Sequence, residues 1–256
     1  MLNSMKHLSG AKVTATDGDI GQVKEAFFDD RSWAVRYLVV DTGNWLSGRE
    51  VLISPYSVKQ PMGGDKHIHL ALTQRQVSSS PDVDTHQPVS RQHERELLRY
   101  YDYPEYWAGG ALWGMGAVPY PSPPIQADAE REANRGMHER DFRAADMHLR
   151  STAHVKGYDI QATDDSIGTV DDFIFDDQNW AIRYLVVDTS RWWEGGHKVL
   201  VGMQWADSID WATQKVHVRL TRAQVKASPV FEDVSSIHRE YETRLHSNYE
   251  REGYWL

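Results

Sequence analysis

The chain has 256 residues, no cysteine, a formal net charge of −9, and 40% hydrophobic against 25% charged residues. That balance is ordinary for a folded globular protein. The missing cysteines exclude disulfide scaffolds, thiolate metal sites, Cys-ligated iron–sulfur clusters and Cys nucleophiles. The acidic surplus argues against a non-specific nucleic-acid binder, which needs a basic field to displace counterions.

Met1 to Gly10 has no charged start followed by an apolar run, so no signal peptide is expected. The longest stretch of low polarity, Trp107 to Pro121, contains Gly109, Gly110, Gly114, Gly116 and Pro119. It is shorter and richer in glycine than the roughly 20 apolar residues a membrane-spanning helix requires. A cytoplasmic location is the expectation.

In chain order, Lys12–Thr16 reads as a first strand and Asp17-Gly18 as its turn, since both residues tolerate positive φ. Ile20–Asp29 reads as a second strand ending at the Asp29-Asp30 turn. The run from Trp33 to Val40 has two largely apolar faces, Trp33/Val35/Tyr37/Val39 and Ala34/Arg36/Leu38/Val40, so both are expected to be covered. Glu50–Ile53 and His67–Leu72 are short strands separated by Pro61-Met62-Gly63-Gly64. Thr73-Gln74-Arg75-Gln76 fits a capping box. Ser90–Tyr101 is a charged helix with a narrow stripe of Leu97, Leu98 and Tyr101. An aromatic cluster, Tyr100, Tyr101, Tyr103, Tyr106 and Trp107, follows. From Pro104 to Arg150 the chain reads as an inter-domain segment, extended through Pro119–Pro124 and charged, without a clear apolar stripe, over Gln126–Arg140.

The pattern then returns. Ala15–Thr42 aligns with Ala162–Thr189 at an offset of 147, with 18 of 28 positions identical. Chance would give about two. One residue is inserted near Trp192, and from Val199-Leu200-Val201 onward the offset is 148. Asp159–Thr163, Lys198–Val201 and Lys215–Leu220 repeat the short strands, and Thr221-Arg222-Ala223-Gln224 repeats the capping box. Ser235–Tyr249 repeats the helix, with Ile237, Tyr241, Leu245 and Tyr249 as its stripe, and Tyr249, Tyr254 and Trp255 repeat the aromatic close. A period this long means two domains rather than a solenoid. The expected division is residues 1–103, a linker at 104–147, and 148–256. Many short strands with regular turns predict a mainly β protein: two tandem small β-barrels, each followed by a short helical, aromatic-rich tail.

The residues that repeat carry a resemblance. Asp-Gly-Asp-Ile-Gly, then Phe-Phe-Asp-Asp-x-x-Trp-x-Val-Arg-Tyr-Leu-Val-Val-Asp-Thr, then Val-Leu-Ile-Ser-Pro, resemble the PRC-barrel domain over about 80 residues of each half. The family takes its name from the cytoplasmic domain of the photosynthetic reaction centre H subunit. It includes the C-terminal domain of a ribosome maturation factor and stand-alone bacterial proteins. The resemblance implies a small barrel used for docking or assembly. It carries over no proton-path residue, and Gly202-Met203 in the second half replaces Ser54-Pro55. It also leaves open association with a membrane photosynthetic or electron-transport complex.

Candidate chemistry is sparse. Asp29-Asp30 and Asp176-Asp177 are turn residues before they are metal ligands, because Asp bonds nearby backbone N–H groups and no calcium-loop spacing surrounds them. His67 and His69 share a strand face without a zinc-type motif. No P-loop, dinucleotide fingerprint or nucleophile elbow is present. No catalytic, cofactor-binding or metal residue is therefore assigned, and a non-enzymatic adaptor is expected. The candidate interaction residues are Arg36, Arg183, Tyr106, Trp107, Tyr254 and Trp255. Each arginine interrupts an apolar strand and is read first as half of a structural ion pair, with Asp41, Asp188 or a turn acid, and second as an anion or partner contact. The aromatic tails either cover a barrel or form a partner surface. The expected partners are proteins, with homo-oligomer formation or barrel pairing within the chain as options.

Overall fold

The chain opens with two short elements that no hydrophobic pattern announces, β1 (Leu2–Ser4) and α1 (Met5–Leu8), the helix capped by the Ser4 hydroxyl. The computed structural model describes residues 1–59, 66–82, 89–120 and 148–255. The first repeat continues with β2 (Lys12–Thr14), β3 (Asp19–Asp29), β4 (Ala34–Asp41), β5 (Glu50–Ile53) and β6 (His67–His69), then α2 (Gln74–Ser78) and α3 (Arg91–Tyr100). The second repeat runs β7 (Leu149–Ser151), α4 (Thr152–Val155), β8 (Asp159–Gln161), β9 (Ser166–Asp176), β10 (Ile182–Asp188), β11 (Lys198–Gly202), β12 (Ala206–Asp210) and β13 (Lys215–Val218). It closes with α5 (Arg222–Lys226) and α6 (Arg239–Asn248).

Both capping boxes form, at Thr73/Gln76 and Thr221/Gln224. The expected strand at His67–Leu72 is shorter, its end reduced to an isolated bridge between Val58 and Leu70. The expected helix at Ser235–Tyr249 begins later, because Val234–Ser236 forms a separate 3-10 turn capped by Asp233. The expected Pro61–Gly64 turn and the charged segment Gln126–Arg140 lie outside the described residues.

Two curved sheets result, and the protein is mainly β. One has the order β5-β4-β3-β2-β6 with β7 also on β3; the other has β11-β10-β9-β8-β13-β12 with β1 also on β9. The long hairpins β3–β4 and β9–β10 are the spine of each. Every residue from Ala34 to Val40 is buried, as the two apolar faces require. Each hairpin carries two bulges at equivalent places. Lys24 and Asp171 are the residues skipped in the register of β3 and β9, and Arg36 and Arg183 those of β4 and β10. Bulges bend a strand and increase its twist, which lets so small a sheet curl. At the hairpin ends Trp33 and Trp180 take the left-handed conformation, with φ of 53° and 59°. That backbone costs about 1–2 kcal/mol for an L residue. Packing holds it: Trp33 stacks on Phe28 with ring centroids 5.2 Å apart, and Trp180 is fully buried.

The compact units draw on both repeats. One comprises Gly10–Arg150 with Gln178–Trp180; the other comprises Met1–Ser9, Ser151–Asp177 and Ala181–Leu256. Short segments are therefore exchanged relative to the division expected at 103 and 148. In the first unit α3 lays Leu97 on a core of Phe27, Tyr37, Val39, Leu52, Val89 and Leu149. Burial of each large side chain contributes about 1.5–3 kcal/mol.

The glycine of the repeated Asp-x-x-Ile-Gly motif is required by close approach. A Cβ on Gly168 would lie 2.6 Å from the Asp188 carbonyl oxygen and 2.7 Å from Val187 Cγ1. Gly168→Ala should lower stability by about 2 kcal/mol through overpacking, read by urea unfolding. Gly110→Ala, where nothing lies within 4 Å, should change it by less than about 0.5 kcal/mol.

Candidate functional site

All six candidate interaction residues fall in one kind of cluster, built once in each unit. The bulge explains how. An extra residue in a strand is re-aimed out of the alternating pattern, so Arg36 and Arg183 leave the sheet ladder and meet the tail. The Arg36 guanidinium lies 3.8 Å from the Tyr106 ring centroid. Arg183 lies 4.2 Å from that of Tyr254. Each cation thus sits on the electron-rich face of a tail tyrosine.

A second arginine comes from the helix. Arg91 and Glu94 occupy adjacent turns of α3, with Arg91 Nη1 3.2 Å from Glu94 Oε1. Arg239 and Glu242 do the same on α6, at 3.1 Å. Arg91 then covers the Trp107 ring at 4.1 Å, and Arg239 covers Trp255 at 4.1 Å. The tail hydroxyls close the set. Tyr106 accepts from Arg91 Nη1 at 2.7 Å and donates to Glu94 Oε2 at 2.5 Å. Tyr254 donates to Glu242 Oε1 at 2.8 Å. Strand arginine, helix arginine, helix glutamate, tail tyrosine and tail tryptophan are matched one for one.

The arginines differ in their other partners. Arg183 forms an ion pair with the turn acid Asp176 at 3.4 Å, one of the partner types expected. Arg36 instead donates to the Leu112 carbonyl at 2.8 Å and to Ser32 Oγ at 2.9 Å; it is 3% exposed, and burial lowers its pKa. Asp29, the equivalent of Asp176, accepts from the backbone N–H groups of Arg31 and Ser32, which is turn chemistry.

Beneath the tail lie Tyr37 and Tyr184, the residues after each strand arginine, both fully buried. The Tyr184 hydroxyl is 2.9 Å from Glu242 Oε1 and 3.0 Å from His246 Nε2, while His246 Nδ1 faces the Glu252 carbonyl at 2.8 Å. A carbonyl only accepts, so Nδ1 carries a proton. Burial lowers the His246 pKa and favours the neutral ring, whose Nε2 then accepts. The one Tyr184 proton is therefore shared between Glu242 and His246. Leu98 stands where His246 would be in the first repeat. There the Tyr37 hydroxyl has the Glu94 carboxyl as a neighbour but makes no hydrogen bond of ordinary geometry among the described residues.

Burial dominates at Glu94. It pushes the carboxyl up to about 7, against the pull of Arg91 and the Tyr106 hydroxyl. The two helix glutamates and helix arginines were not singled out by sequence, where the helices read as charged faces. A signal was available: between α3 and α6 the identities are Arg91/Arg239, Glu94/Glu242 and Leu97/Leu245, spaced by three and therefore on one face.

His67 and His69 share a strand face with rings 4.4 Å apart, and His67 Nε2 lies on Thr14 Oγ1. Among the described residues no three metal-ligating side chains converge, and no helix is long and apolar enough to cross a membrane.

A family model described as the PRC-barrel domain matches residues 5–75 and 147–225, more than half of the chain. A search of curated proteins finds no match.

Glu94 makes stability depend on pH. Its folded pKa of about 7 exceeds the ordinary 4.5, so between these values the folded state keeps a proton that the unfolded chain has lost. The contribution is fully present below 4.5 and lost as pH rises toward 7; it amounts to about 3 kcal/mol. The unfolding free energy of the wild type minus that of Glu94→Gln should fall by about this amount across the window. Glu242→Ala should cost about 3 kcal/mol or more in chemical denaturation, because Tyr184, Tyr254 and Arg239 lose a shared buried acceptor.

Proposed function

Because the chain belongs to the PRC-barrel family, we propose that it is a non-enzymatic adaptor that brings other proteins together through its two barrels. The reading draws on where the polar chemistry is spent. The titratable groups of each cluster bind one another and the tail, with Glu94 1% exposed and Tyr106 3%, so they serve to close the barrel rather than to meet a substrate.

The observation that carries the proposal is the segment after the first tail. Ala111 bridges Gly114, and Trp113 bridges Gly116, forming a small tongue. Trp113 anchors it: the ring is buried, 4.9 Å edge-on to Tyr56 and 4.6 Å from the Arg36 guanidinium, and its Nε1 donates to the Asn179 carbonyl at 2.7 Å. Arg36 holds the Leu112 carbonyl beside it. A segment fixed this firmly nonetheless leaves Met115 90% exposed and Tyr120 68% exposed. A flexible thioether and an aromatic ring, both exposed within six residues of chain, are the composition of an adaptable protein-binding surface. The tongue presents it with little entropy left to lose on binding.

The test compares wild type with Met115→Glu by affinity capture from native lysate, after circular dichroism confirms equal folding. Proteins retained by the wild type and lost with Met115→Glu support the adaptor reading. Identical capture by both forms removes the tongue as its surface. Capture confined to detergent-solubilised membrane complexes would favour a role as a peripheral accessory of an electron-transport complex.

A further inference from the structure

The segment preceding each barrel docks on the long strand associated with the other repeat. β1 pairs antiparallel with β9, with Leu2 opposite Asp176, Asn3 opposite Phe175 and Ser4 opposite Ile174. β7 pairs with β3. The two arms, Leu2–Gly10 and Leu149–Gly157, are themselves related by the offset of 147.

The clasp is also repeated. Asp177 donates its backbone N–H to the Met1 carbonyl at 2.9 Å and accepts from Asn3 Nδ2 at 3.0 Å. Asp30, its equivalent, donates to the His148 carbonyl at 3.0 Å and accepts from Arg150 Nε at 2.9 Å. The second aspartate of the Asp-Asp turn thus bonds the arm in both repeats, while the first serves the turn in one repeat and, in the other, pairs with the strand arginine and with the Met1 amino group at 3.6 Å. Ser4 Oγ and the Lys6 backbone N–H extend the first arm's grip to the buried carboxylate of Asp172.

Each arm ends on a glycine in the left-handed conformation, Gly10 at φ 77° and Gly157 at φ 89°, with nothing within 4 Å of where a Cβ would lie. Backbone direction, not packing, requires glycine there. The same left-handed glycine turn therefore closes both arms; the compact units divide at this turn in the first arm, after Ser9, and earlier in the second, after Arg150.

We propose that the edge of β9 beyond the reach of β8, closed by Asp177, and the matching edge of β3, closed by Asp30, form an arm-binding surface whose partner is the arm of a second copy of this chain. The surface recognises an extended backbone and one polar side chain, as in strand addition. An arm delivered by another copy makes the same bonds. Closed and exchanged forms then differ mainly in whether the arm arrives within the chain or between chains, so concentration shifts the balance. Exchange of identical elements between copies gives a closed dimer. This holds independently of what else the chain binds.

The absence of cysteine in the sequence allows a direct test in the full chain. Leu2 and Asp176 are opposed in register. In the double variant Leu2→Cys/Asp176→Cys, brief oxidation traps whichever arm occupies β9. After equilibration at rising protein concentration, non-reducing electrophoresis should show a growing fraction of covalent dimer, and a Leu2→Cys/Met115→Cys control should show none. Intrachain-bridged monomer at every concentration would overturn the proposal. A second measurement needs no variant: light and isotopically heavy wild-type chains are mixed and weighed by native mass spectrometry. Mixed dimers that an excess of synthetic Met1–Gly10 peptide dissolves are expected; monomers alone, or mixed dimers indifferent to the peptide, would refute exchange.

Discussion

A carboxylate placed in a largely apolar setting constrains each unit. Glu94 and Glu242 project from their helices onto a buried strand tyrosine, where an unpartnered charge would cost several kcal/mol. The remaining pieces follow from that need. An arginine one turn earlier on the helix supplies a counter-charge, and a tail tyrosine returns to supply a hydroxyl. The returning ring needs a support, and the bulge arginine lies against its face. The bulge does double work here. It helps curl the sheet, and it frees from the apolar alternation the one cation that the tail requires.

The two copies satisfy this constraint unequally. In the second repeat Tyr184, Tyr254 and Arg239 all reach Glu242, and His246 adds a further polar contact. In the first, a leucine fills the histidine's place, and the Glu94 carboxyl, drier, is pushed up to about 7. A protonated carboxyl costs less to bury than a charged one, so the raised pKa of Glu94 eases the burial that its smaller network leaves less fully compensated. Next door Arg36, near the turn acid Asp29 but hydrogen-bonded instead to the Leu112 carbonyl, holds the tongue. Divergence of one helix position and of one arginine's partners thus separates a more fully hydrogen-bonded cluster from one that supports an exposed segment.

Much of the fold was legible because it rests on local pattern. The apolar run from Trp33 to Val40, the Asp-Asp turn and the two capping boxes each state their conformation within a few residues, and the repeat states them twice. The arms were not legible: three residues of strand show no usable period, and their stability comes from a distant edge. Nor was β12, whose Ala206–Asp210 sequence is polar and is ordered by pairing with β13. The site was half legible. An arginine inside an apolar strand is conspicuous, and so are aromatic tails, but the glutamate that joins them looks like any solvated helix acid until the two helices are superposed and only one face is found to agree.

The Asp-Asp turn shows why a repeated motif resists a single meaning. Asp29 accepts two turn N–H groups, and Asp176 reaches a strand arginine, so the first position answers to local geometry. Asp30 and Asp177 answer to a segment more than a hundred residues away. Adjacent residues of one type are thus held by different constraints, and it is the second that bonds an arm side chain in both repeats. A barrel whose long strand outruns its neighbour leaves an edge exposed: β8 covers β9 only from Ser166 to Thr169, and β1 takes up Ile174 to Asp176. An uncovered edge is a template for unwanted pairing. Duplication supplies a matching arm for each edge, which makes the repeat a condition of stability and not only a record of descent.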